Sequence, residues 1–179
     1  VLGVYIGTIV LLNIPSVQQV MSVFVAEELS DLLNTRVTIG RINIGLLNRI
    51  IIDDVLLDDQ DEQEMLKVTR LSAKFDIMPF FKGKISISSV QLFGFNINLQ
   101  KKTPDSPPNF KFVLDAFASN DTVKKDNSLD LRINSILIRR GRMAYHVLSE
   151  EETPGKFNAK HVQLQNIIAN ISLKALSKD

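Results

Sequence analysis

Residues 50–57 read IIIDDVLL, with apolar side chains at offsets 0, 2, 5 and 7 around the polar pair Asp53-Asp54. The same spacing returns in ISISSVQL (85–92), LRINSILI (131–138) and VQLQNIIA (162–169), each with a small or polar pair at its centre. Alternation at the two ends of each unit predicts half-buried strands. The step of three between the apolar pairs would put the second pair on the opposite face of a regular strand. A bulge at the polar pair returns all four side chains to one face. After the same gap, the alternation resumes at Ile97 and Leu99 and at Met143 and Tyr145. Units recurring at roughly 30–45 residues predict an elongated stack of irregular repeats instead of a closed globule.

Upstream of the first unit, the alternation begins at Val37, Ile39, Ile42 and Ile44, and it reappears at Leu71, Ala73, Phe75 and Ile77. Before Arg36 the period changes. Val17, Val20, Met21, Phe24, Val25, Leu29, Leu32 and Leu33 recur at three and four residues, opposite Gln18, Gln19, Glu27, Glu28 and Asp31, which predicts an amphipathic helix over 15–35. Pro15 fits its first turn, and Asn13 is a candidate cap. Such a helix can plug the end of a sheet. The acidic polar face disfavours its lying along a membrane, where Lys and Arg are usual.

Residues 1–14 (VLGVYIGTIVLLNI) carry no charge. As a helix they would reach about 21 Å, short of the roughly 30 Å hydrocarbon core. They read as the trailing part of a membrane helix, as the apolar region of a signal peptide, or as a buried helix. The membrane reading is preferred, because PSVQQ (15–19) offers no small-x-small cleavage site. Polar segments at 58–64, 101–109 and 119–128 read as surface loops. FKFVLDAF (110–117) reads equally as a strand or a helical turn.

The composition bounds the function. With 179 residues and 45% of them hydrophobic, the chain can bury one core. A formal charge of +1 supplies no cationic field for nucleic acid. Without cysteine there is no disulfide, thiolate ligand or thiol nucleophile. His146 and His161 lie on alternating stretches with no ligand pattern beside them, so no metal is expected. The run Asp53, Asp54, Asp58, Asp59, Asp61 lacks the glycine turn of a calcium loop and reads as a solvated loop. Arg139, Arg140 and Arg142 form the one basic cluster, on an exposed strand face or against anionic headgroups. Neither a nucleophile-base pair nor a cofactor fingerprint is present, so no enzyme and no cofactor are expected.

Four stretches carry a family resemblance: LNIPSVQQ (12–19), TRVTIGRI (35–42), IDDVLLDD (52–59) and LDLRINSI (129–136). In these the chain resembles the N-terminal region of TamB-like proteins of the AsmA superfamily, in the Bacteroidota version. The resemblance implies a mainly β fold with N-terminal α structure: a truncated membrane helix (1–14), the amphipathic helix (15–35), and an elongated, curved, taco-like sheet (36–179), incomplete at its C-terminus. It implies a bacterial inner-membrane protein with a single-pass anchor and a periplasmic body, moving phospholipid between inner and outer membranes. The alternative is a translocation and assembly scaffold working with an outer-membrane barrel protein. The implied partners are phospholipid acyl chains and the inner membrane. The candidate groove lining is Ile85, Ile87, Val90, Leu92, Ile97, Leu99, Leu131, Ile133, Ile136 and Ile138, with Arg139, Arg140 and Arg142 as candidate headgroup contacts. Two rivals remain on the residues alone: a sheet edge that binds a client by strand addition, and a closed structural β domain.

Overall fold

The computed structural model describes residues 13–45, 48–75, 85–120 and 129–172, with residues 3, 6, 7, 10 and 11; for residues 75, 85–87, 117–120 and 129–134 it describes the backbone alone. Helix α1 (Pro15–Leu33) precedes strands β1 (Val37–Gly45), β2 (Arg49–Asp58), β3 (Glu64–Phe75) and β4 (Ile85–Lys101). Helix α2 (Lys111–Asn120) and strands β5 (Leu129–Val147) and β6 (His161–Ser172) follow. The expected β position Ile77 and most of the 119–128 loop lie outside the described residues.

All six strands form one mixed sheet in chain order, and it is not closed. Neighbours are antiparallel except β4 and β5, which are parallel. A parallel pair needs a long crossover. The ambiguous stretch after the three prolines 104, 107 and 108 is part of that crossover as α2, whose exposed first turn carries the Lys111–Asp115 pair at i and i+4.

The register lines up the apolar positions across the sheet. One row runs Val37, Leu57, Leu66, Ile97, Met143, Leu164. A second, Ile39, Val55, Val68, Phe95, lies beside it. Beyond a gap come Ile42, Ile52, Leu71, Leu92, Ile138, Ala169, and then Ile44, Ile50, Ala73, Val90, Ile136, Ile171. In the gap, Asp54 and Gly94 have φ of 56° and 64°, and Arg140 and Asn166 of 54° and 55°. Positive φ is the left-handed region, used where a strand has to bend locally. Gly94 is needed on a second count, because a Cβ there would lie 2.7 Å from Thr69 Oγ1.

The membrane anchor is a correction. Among the described residues no helix is long and apolar enough to cross a membrane. The reason is physical: Asn13 and Ile14 turn the chain before α1, whose Gln18, Gln19, Glu27, Glu28 and Asp31 make it too polar to span. A single-pass inner-membrane placement is therefore withdrawn.

Helix α1 falls where the periodicity predicts, but its buried side differs. Gln18 and Ser22 are buried at 7% and 2% exposure, whereas Val20 and Phe24 are 69% and 61% exposed. The helix lies against β1, an edge strand whose polar groups need partners. Asn13 Nδ2 donates to the Ile44 carbonyl (2.9 Å), Gln18 Nε2 to Asn43 Oδ1 (2.6 Å), and the Val37 amide to Ser30 Oγ (3.0 Å). Asn13 is thus spent on β1, and Ile14 holds the cap position without a side-chain bond. Only the last turn is buried as an apolar face. Leu33 joins Val37, Leu57 and Met65, with Leu29, Leu66 and the α2 residues Phe112, Val113 and Ala116 packed around them.

Candidate functional site

The expected groove residues are brought together in part. Val90, Leu92, Ile97 and Leu99 of β4 pair with Ile136, Ile138, Met143 and Tyr145 of β5, so the 85–92 and 131–138 stretches lie side by side. Their polar centres meet as well: Ser135 Oγ is 3.0 Å from Ser89 Oγ. Val90, Leu92, Ile97, Leu99, Ile136 and Ile138 are all half-buried. Ile85 pairs with Leu129 and Ile87 with Leu131, while the side chains of Ile85, Ile87, Leu131 and Ile133 lie outside the described residues. Helix α1 lies along β1, and side chains of both helices pack around Leu57, Met65 and Leu66 of β2 and β3.

The arginine cluster falls at other register positions. Arg139 pairs with Phe93 and Arg142 with Asn96, outside the apolar rows. All three arginines are exposed, and the Arg140 guanidinium stacks 5.1 Å above the Phe93 ring. In the same polar row Arg70 and Asp53 form a pair at 2.6 Å beside a shallow concavity of about 640 Å³.

The aspartate run is not a solvated loop throughout. Asp58 and Asp59 are buried at 2% and 1% exposure. Asp58 pairs with Arg36 at 2.7 Å. Asp59 accepts from the Asp61 and Gln63 amides on Oδ1 and from Gln100 and Asn109 side chains on Oδ2, all within 3.1 Å. Burial works against its charge, yet the hydrogen bonds from Asn109, Gln63, Asp61 and Gln100 hold its carboxyl below the usual aspartate range. With its oxygens committed to donors, Asp59 is a structural knot that ties the β2–β3 turn to the end of β4.

Sequence reasoning gave His146 and His161 no neighbours. The register makes them direct partners across β5 and β6, with Nδ1 atoms 3.1 Å apart. Glu152, from the connection between those strands, brings Oε1 to 3.8 and 3.9 Å from them. A hairpin fifteen residues apart in sequence is the signal that would have found the pair, had its register been legible.

No family model, curated protein or solved structure matches the chain.

Proposed function

We propose that the sheet is a lipid-binding groove of the AsmA/TamB-like kind, whose apolar rows receive phospholipid acyl chains on their way between the membranes of a cell envelope. The observation that carries this reading is the register: apolar rows continue across an unclosed sheet, and the helices pack on β1 and around Leu57, Met65 and Leu66, with β4 to β6 outside that cluster. In this reading the left-handed residues at the gap return the third and fourth rows to the face of the first two. The sheet then curls into a trough of repeats. Burial of Ile42, Val68, Ala73 and Phe95 is consistent with such curling. Each methylene sheltered there is worth about 0.8 kcal/mol, so ten would hold a chain by about 8 kcal/mol. Native mass spectrometry of the full chain tests it: phospholipid should travel with the protein, and a lipid-free mass under conditions that retain lipid in a control carrier contradicts it.

A second reading, an assembly scaffold, draws on the β6 edge. Gln163, Leu164, Gln165, Asn166 and Ile168 are exposed along an edge strand, the geometry that accepts an added strand.

A further inference from the structure

We propose that His146, His161 and Glu152 form a binding site for one divalent transition ion of the zinc class, which fastens the 148–160 connection to the paired ends of β5 and β6. The argument starts from a proton. His161 Nε2 lies 2.9 Å from the Glu150 carbonyl oxygen. A carbonyl only accepts, so Nε2 carries the hydrogen and, in the neutral ring, Nδ1 presents a bare lone pair. That lone pair faces His146 Nδ1 at 3.1 Å.

Two imidazoles alone would be explained by an N–H···N hydrogen bond. Glu152 is the feature that such a bond leaves unexplained. Its Oε1 is 3.8 and 3.9 Å from the two nitrogens, too far to accept from either, and it directs negative charge at a bare lone pair. A cation among the three removes the repulsion. The point equidistant from the corners of a triangle with sides 3.1, 3.8 and 3.9 Å is about 2.1 Å from each, the distance of Zn–N and Zn–O bonds. Three protein ligands leave a fourth position for water. Imidazole nitrogen selects zinc and its neighbours over calcium and magnesium, which take oxygen.

The surroundings hold the ligands in place. The Glu150 carbonyl orients the His161 ring, as outer partners of metal-bound histidines do, and Glu150 is itself tied to Lys160 at 2.7 Å. The Val147 amide donates to the Lys160 carbonyl at 2.9 Å, closing the hairpin next to both rings.

Titration of the tag-free full chain with Zn²⁺ against a chromophoric chelator, at about pH 7.5 where imidazole is neutral, tests the proposal. One ion per chain is expected. Glu152→Gln and His161→Ala should each weaken binding by more than about tenfold, since even outer partners cost that much. Glu152 is exposed, so Glu152→Gln keeps the fold; melting in chelator should match that of the parent chain. Co²⁺ bound to the parent should show the intense visible bands of a four-coordinate centre. No stoichiometric binding by the parent, or equal affinity in Glu152→Gln, overturns the site and leaves the rings as a hydrogen-bonded pair.

Discussion

Asp59 concentrates the chemistry that ties the β2–β3 turn to the end of β4. Its carboxylate satisfies four donors, and an amide in its place would turn an NH₂ group toward some of them. Asp59→Asn is expected to cost about 2–3 kcal/mol, the toll of leaving buried donors unpaired, read as a lower denaturation midpoint. The pH dependence follows from the direction of the shift. A carboxyl held below its ordinary value stabilises the fold fully above the unfolded pKa, near 4, and the contribution is lost as pH falls through the folded value. The gap between parent and Asp59→Asn should be constant from about pH 7 to 5 and shrink below about pH 4. A gap that widens on acidification contradicts the assignment. Gly141 is the other decisive residue. A Cβ there would overlap the Phe95 ring and lie 3.0 Å from Ile167 Cβ, so Gly141→Val should destabilise by about 1–3 kcal/mol through overpacking.

At the scale of elements, α1 separates what the sequence made legible from what it did not. Its extent followed from periodicity and Pro15, but its buried side did not. The spacing of Val20 and Phe24 reported amphipathicity without reporting that the neighbour is an edge strand in need of hydrogen bonds. Phe24→Ser is therefore expected to change stability by less than about 0.5 kcal/mol, and Leu33→Ala to cost about 2–4 kcal/mol. Equal losses in thermal melts of the two variants would restore the side that periodicity alone predicts. In the strands, Asp54 of 50–57 and Asn166 of 162–169 adopt positive φ at their polar pairs, whereas in β4 and β5 the positive-φ residues are Gly94 and Arg140, outside 85–92 and 131–138. The parallel pairing of β4 with β5 was not visible, since it depends on a crossover whose helical content the sequence left undecided. The histidine pair was hidden for a related reason: it depends on the β5–β6 register, which shifts twice near Gly141.

For the whole molecule, the question is whether the apolar rows are a groove or one side of a closed core. Leu92 and Ile138 are cross-strand partners in the third row, half-buried and outside the cluster formed with the helices. In a groove, carboxylates at both positions stay hydrated and cost little. In a packed core, each buried charge costs several kcal/mol and the chain unfolds. Labelling of the Leu92→Asp/Ile138→Asp double variant by a photoactivatable phospholipid, with its melt recorded alongside, is the most direct measurement of the central claim. A groove predicts a melt close to that of the parent chain with lipid labelling lost. Collapse of the melt, or labelling undiminished in a folded variant, contradicts it.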